Sequence, residues 1–311
     1  MMASRELLTV YLKGFAMGAA DAIPGVSGGT IALITGIYDR LVGSIAALKV
    51  ATGLALLGDL RSVHHTAARR RVLDRVRSMD LPFLLTLGFG IVTAALTAAN
   101  VLEWAVGVHA GPTYAFFFGL IVASAYVLRD AVVLDSAVGW AVAVAGVVLA
   151  FVASGSFEQG IGDGYIVLFG SGIVGISAMV LPGISGSLIL LTLGQYETII
   201  TAVDRLTHAT FAGSASMAVS PLVTLLVFAA GALLGILSFA RVVSWALERY
   251  RTRTMTFLVA LMIGALRAPA IRIAEATGAW SPSVALVLVG WGLLGALAVI
   301  ALDRMTDEIA Y

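Results

Sequence analysis

The sequence predicts an all-α polytopic membrane protein with an inverted repeat, each half a re-entrant or broken helix hairpin plus about three transmembrane helices. Three observations predict it: a composition too apolar for a water-facing surface, a broken apolar segment that occurs twice in one register, and loops whose charge alternates along the chain. Hydrophobic residues fill 60% of the 311 positions and charged residues only 12%. Mean hydropathy is +1.01. A soluble domain carries about 25% charged residues, so lipid must solvate most of this surface. A net charge of +1, with no basic stripe carrying interleaved aromatics, excludes a nucleic-acid partner. The absence of cysteine removes disulfides, thiol catalysis and cysteine metal sites together.

The first apolar run, Leu7 to Leu12, is short and Lys13 interrupts it. A secretory signal needs about 7–15 uninterrupted apolar residues. The segment is therefore expected to be retained, although Ala20-Asp21-Ala22 loosely fits a cleavage pattern. It opens a longer apolar region, Leu7 to Tyr38, cut by Pro24-Gly25; a second, Tyr165 to Tyr196, is cut by Pro182-Gly183. Proline removes a backbone donor and clashes with the preceding turn, and glycine favours non-helical angles. Each arm holds about 13–17 residues, roughly 20–25 Å of helix, which falls short of the roughly 30 Å hydrocarbon core. Each region is thus a re-entrant hairpin or one broken span.

The two breaks are copies. Pro24-Gly25-Val26-Ser27-Gly28-Gly29-Thr30 aligns with Pro182-Gly183-Ile184-Ser185-Gly186-Ser187-Leu188. The same register pairs Gly36 with Gly194, Tyr38 with Tyr196 and Asp39 with Glu197. This reads as a duplication: a first repeat over 1–153, with its broken-helix motif at 21–30, and a second over 154–311, with its motif at 179–188. After each break comes a linking stretch. Ile199 to Ser220 contains Asp204, Arg205 and His208, a poor span, and by analogy Leu41 to Leu57 is expected at the interface, although its hydropathy would allow a crossing. Spans follow at Pro82 to Trp104, Thr113 to Leu128 and Ala137 to Ala153, then at Pro221 to Leu247, Thr254 to Leu266 (expected to continue towards Ala270) and Ser283 to Leu302.

Loop charge sets orientation. The 59–80 loop, with Arg61, Arg69, Arg70, Arg71, Arg75 and Arg77, is cytoplasmic, as is the Arg249–Arg253 turn. The loop from Ser154 to Gly164 has Glu158 and Asp163 and no Lys or Arg, which suits the outside. The first break is therefore entered from the cytoplasm and the second from outside. The expectation is a multi-pass protein of the cell (plasma or inner) membrane with a cytoplasmic N-terminus. Inverted repeats with broken helices are the architecture of many secondary transporters, whose sites lie at the midplane.

A Gly- and Ser-rich break exposes backbone N–H groups with no intrahelical partner, and the helix after it points its positive end at any cavity. Such backbone survives at membrane depth only when buried in protein or lining a wet cavity. Gly25, Gly28, Gly29, Gly183 and Gly186 permit close approach, and Ser27, Thr30, Ser185 and Ser187 add hydroxyls. Two such breaks from opposite sides suit an anion; small residues that merely let helices cross are the competing explanation. Asp21, whose counterpart is Met179, either caps the break or carries a coupling ion, since a membrane carboxylate is costly. Glu197 and Asp39 sit at the hairpin ends. Arg267 lies deep enough to pair with a ligand. Gly25-Val26-Ser27-Gly28-Gly29 matches a nucleophile-elbow pattern, but it interrupts an apolar helix and no histidine lies in an apolar segment. No catalytic residue, metal site or cofactor is expected; proton or sodium coupling stays open.

The stretches Ala20 to Thr30 with Gly36-Ile37-Tyr38-Asp39, and Ile176 to Ser187 with Gly194-Gln195-Tyr196-Glu197, resemble the two signatures of the DUF368 membrane family. The resemblance spans nearly the whole chain. It implies a translocase (flippase) that returns a polyprenyl-phosphate carrier, undecaprenyl or dolichyl phosphate, from the outer to the cytoplasmic leaflet. Carried over, it sets the phosphate between Ser27, Gly28, Gly29 and Thr30 on one side and Ser185, Gly186 and Ser187 on the other. Lipid-linked phosphate and membrane lipids are the expected partners. Two alternatives stand beside it. A polyprenyl-pyrophosphate phosphatase needs an arginine after the motif serine, where this chain has Gly28 and Gly186. A carrier of a small soluble anion would lack an opening to lipid.

Overall fold

The computed structural model describes residues 4–21, 27–49, 66–155, 164–211 and 214–307, with single positions 52, 55, 58, 59 and 162 between them. Every regular element among these residues is helical. The first half runs α1 (Ser4–Asp21), α2 (Gly28–Ile34), α3 (Tyr38–Ala47), α4 (Thr66–Ser78), α5 (Leu81–Val127) and α6 (Ala137–Ala153). The second runs α7 (Tyr165–Val180), α8 (Gly186–Thr192), α9 (Tyr196–Phe211), α10 (Ala215–Ala265), α11 (Arg267–Ala276) and α12 (Pro282–Asp307). Among the described residues three helices are long and apolar enough to cross a membrane, and up to six spans result if each bent pair counts as one. Large apolar side chains such as Ile166, Leu286 and Leu96 point outward, as lipid contact requires.

The return arms after the breaks are shorter than expected. α2 and α8 have 7 residues each, and the chain then bends by 114° and 103° into α3 and α9. The reason is a Schellman end at each. Gly36 and Gly194 take φ of +70° and +72°, a region open to glycine at little cost. The amides of Gly36 and Ile37 donate to the carbonyls of Leu33 and Ala32, and those of Gly194 and Gln195 donate to Leu191 and Leu190. That is the 5→2 and 6→1 pattern of the motif.

The expected paired spans are long helices with one kink. α5 departs from helical angles at His109 (φ −131°, ψ 46°) and α10 at Tyr250 (φ −136°, ψ 44°). Pro112 follows the first kink and cannot donate; the second has no proline. Both are braced alike. The Thr113 hydroxyl donates back to the Ala105 carbonyl at 3.1 Å, and that of Thr254 to the Ala246 carbonyl at 3.0 Å. Trp104 packs edge-on against His109, and Trp245 against Tyr250. The span that starts at Thr254 runs on past Arg267 as expected: α10 ends at Ala265, Leu266 makes a single turn, and α11 continues the helix from Arg267 to Ala276.

Glycines set the tight crossings, as small residues do between membrane helices. α1 lies against the near arm of α5, where a Cβ on Gly14 would overlap the Leu87 carbonyl; α7 lies against the near arm of α10, where a Cβ on Gly231 would overlap the Phe169 carbonyl. The far arms are exchanged between halves. α12 packs on the far arm of α5, with Gly119 against Gly292, and α6 packs on the far arm of α10, with Gly146 against Phe257. Each half thus holds the other's last span. Between them lies a core including Tyr38, Phe83, Leu87, Ile121, Leu258 and Leu261.

Candidate functional site

The start of α2, which follows the first break, meets the second break inside this interlocked core. Ser27, Thr30 and Ser185 are all at least 96% buried, being 2%, 1% and 4% exposed. The Ser27 hydroxyl donates to the Leu181 carbonyl at 3.2 Å, and the Thr30 hydroxyl accepts the Gly183 amide at 3.0 Å. Gly29 completes the contact: a Cβ there would stand 3.2 Å from the carbonyls of Met179 and Val180. Two polar groups of the second break therefore find partners on the first. Gly25 lies outside the described residues.

The N-termini of the two short helices are finished differently. Ser27 stands at the N-cap of α2 but spends its hydroxyl across the interface, and Asp21, from the end of α1, takes its place. The Asp21 carboxylate accepts the Gly28 amide at 2.6 Å. An anionic group of the chain itself thus occupies the positive end of α2. In the second half Ser185 caps α8 with its own hydroxyl, accepting from Leu188 at 3.4 Å, and Ser185 and Ser187 share a hydrogen bond of 2.9 Å. The thioether of Met179 sits against Gly186 where Asp21 sits against Gly28. Gly183 has φ of +84°, and a Cβ on it would fall 2.9 Å from the Leu261 carbonyl. The second break is thereby pressed onto the far arm of α10.

Arg267 points elsewhere. Its guanidinium donates to the Phe151 carbonyl at 2.7 Å and stacks over the Phe151 ring at 4.4 Å, which ties α11 to the end of α6. Glu197 is exposed in the first turn of α9, and Asp39 pairs with Arg251 at 2.7 Å. Sequence reasoning missed two groups. Lys13, which in the sequence only interrupts an apolar run, donates its ammonium to the Thr35 carbonyl at 2.6 Å, closing the C-terminal end of α2. Ser171 stands at the register position of Lys13 in the second half, is 1% exposed, and its hydroxyl has no partner among the described residues. The repeat register held the signal for both. No group of three or more His, Cys, Asp or Glu side chains among the described residues is placed to hold a metal.

What the arrangement offers chemically is a pair of buried, dipole-bearing helix starts with hydroxyls, one already filled by a carboxylate. Residues 17–280 match the family described as VCA0040-like, undecaprenyl phosphate translocase-like. The chain belongs to that family. Both breaks and the far arm of α10 fall inside the matched region. Two relatives agree with it. The polyprenyl-phosphate transporter of Vibrio cholerae serotype O1 is 39% identical over 264 residues, covering 83% of this chain and 76% of that protein. The polyprenyl-phosphate transporter of Staphylococcus aureus is 28% identical over 309 residues, 96% of each chain. Members of the translocase-like family and these relatives are transporters, not enzymes. No solved structure matches the chain.

Proposed function

We propose that this protein carries a polyprenyl phosphate across the cell membrane, from the outer to the cytoplasmic leaflet, through a site built by its two breaks. Family membership is the observation that carries this reading. The halves act as inverted copies, with the N-terminus and the Arg-rich α4 in the cytoplasm. The matched kinks at His109 and Tyr250 support the repeat, and the opposite charge of the loops that enter the two breaks supports its inversion.

The phosphate is bound near the midplane. Ser185, Gly186 and Ser187 receive it at the start of α8, and Gly183 gives the break its shape. Ser27, Gly28, Gly29 and Thr30 form the facing wall, where Asp21 already holds the α2 terminus. Admission of a second anion there requires Asp21 to yield, either by moving or by taking a proton. Asp21 thus serves as cap and as the carboxylate through which ion coupling would act. Arg267 begins the helix beyond the α10 arm that packs on Gly183, so it supplies positive potential at the end of that arm rather than a direct contact. Glu197 has a structural place at the second bend.

Reconstitution in liposomes with labelled polyprenyl phosphate tests this. Headgroup exposure at each leaflet is followed over time for wild type, Ser27→Ala/Ser185→Ala and Arg267→Ala, with phosphate release from polyprenyl pyrophosphate assayed in parallel. Transfer that falls in the serine double variant, without hydrolysis, is expected. Wild-type transfer no faster than in empty liposomes would overturn the proposal.

A further inference from the structure

We infer that two matched apolar grooves, one beside each kink, are leaflet stations that seat the prenyl chain of the carrier. This rests on the function proposed above. The inner groove, about 560 Å³, lies between α6 and α10 and is walled by Val138, Val142, Leu149, Phe239 and Phe257. The outer one, about 610 Å³, lies between α5 and α12, walled by Trp104, Phe116, Phe117, Val287 and Trp291. They are the same place in the two halves. Ala105, His109, Thr113 and Phe116 of one stand where Ala246, Tyr250, Thr254 and Phe257 of the other do, beside the braced kinks.

Three features suit the grooves to a lipid with an anionic headgroup that is passed on to the breaks. Polar side chains gather at the kink end, so an occupant is received headgroup at the kink and chain towards the midplane, the orientation of a lipid in its leaflet. The inner groove carries Arg253 and Tyr250 at that end, and the equivalent positions outside are Pro112 and His109. Of the two grooves, the inner one therefore offers an arginine to an anionic headgroup and the outer one does not. Finally, the inner groove runs to Leu181, whose carbonyl accepts the Ser27 hydroxyl, so it is continuous with the contact between the breaks. Volumes of this size match the roughly 300–1,000 Å³ of small-ligand sites. Each groove seats one segment of a long chain and leaves the rest in the bilayer.

The test uses the full chain in liposomes of phosphatidylcholine and phosphatidylethanolamine, with a polyprenyl phosphate bearing a photoreactive diazirine in its prenyl chain near the phosphate. Labelled peptides are mapped on wild type, where no substitution can disturb folding, and leaflet transfer is measured on the same preparations. Label is expected in both grooves, on α6 and α10 beside Val142 and Phe257 and on α5 and α12 beside Phe116 and Val287, displaced by unlabelled polyprenyl phosphate and not by added phosphatidylglycerol. Val142→Trp, which fills the groove, should lower labelling and transfer about tenfold, a loss equal to about 1.4 kcal/mol of binding. Val148→Trp, on an exposed face of α6 that does not line the groove, should change neither. Equal displacement by phosphatidylglycerol would make these ordinary lipid sites and overturn the inference. So would wild-type transfer with label elsewhere, which leaves the proposed function standing. A wild type that moves no polyprenyl phosphate would remove both.

Discussion

The hydroxyl of Thr30 accepts the amide hydrogen of Gly183 at 3.0 Å, and both residues are buried. One half of the chain thereby satisfies a donor left orphaned by the break in the other. Thr30→Val keeps the shape and removes the acceptor, stranding a buried N–H at a cost of about 1–3 kcal/mol. The detergent-solubilised variant should melt lower than wild type, and Thr30→Ser should recover most of the loss. Equal melting of Thr30→Val and wild type would show that the amide finds another partner.

Glycine matters for different reasons at two positions of positive φ. Gly36 has open space around it, with nothing within 4 Å of where a Cβ would stand, whereas Gly183 presses on Leu261 and Met262. Gly36→Ala therefore bears only the left-handed backbone strain, roughly 1–2 kcal/mol. Gly183→Ala bears that strain and also overpacks the joint, which adds about 1–3 kcal/mol. Thermal melts of the two variants should rank Gly183→Ala well below Gly36→Ala, and comparable melts would contradict the close contact.

How much of this was legible in the sequence follows from what register can and cannot encode. The paired breaks, Gly36 with Gly194, and Asp21 against Met179 are local in the chain, so alignment of the two halves exposes them. The 7-residue return arms were hidden because hydropathy continues unbroken through Gly36 and only backbone angle stops the helix. Partner exchange by α6 and α12 was hidden for another reason. Every span carries small residues, and no pattern within one span says which glycine face will meet which. For Arg267 the sequence offers depth alone, and depth does not reveal the Phe151 carbonyl and ring that hold it.

Acid should weaken one surface joint in a defined window. Arg40 donates from Nε to Asp80 at 2.6 Å and from Nη2 at 3.0 Å, and this hydrogen-bonded guanidinium holds the Asp80 carboxyl below its ordinary range. A carboxylate with a depressed folded pKa contributes stability that is present above its unfolded value, about 3.9. That contribution fades as pH falls through the folded value. Asp80→Asn should melt lower than wild type at pH 7, with the gap closing in strong acid. Asparagine tolerates the left-handed angle at this site (φ 47°), so the comparison isolates charge. A gap constant down to pH 3 would assign the effect to packing.

Asp21 separates cap from coupling. Asparagine retains an oxygen that accepts the Gly28 amide, and alanine does not. Asp21→Ala should therefore lose about 1 kcal/mol as a lost cap, while Asp21→Asn should melt like wild type. Transfer under an imposed pH gradient adds the second readout. If Asp21 only caps, the asparagine variant responds to the gradient as wild type does; if it carries the proton, that response disappears while stability stays.

Orientation can be read directly, because the chain has no cysteine of its own. Inversion sets Asp135, just before α6, on the cytoplasmic side and Ala279, just before α12, on the outside. Both are exposed. Their neighbouring spans occupy equivalent places in the two halves, α6 against α10 and α12 against α5, so a parallel repeat would put the two positions on the same side. Single variants Asp135→Cys and Ala279→Cys, challenged in intact cells with a membrane-impermeant maleimide, distinguish the two arrangements. Ala279→Cys should label at once and Asp135→Cys only after the membrane is permeabilised. Labelling of both from outside, or of neither, would exclude the inverted arrangement and with it a site approached by the two breaks from opposite faces.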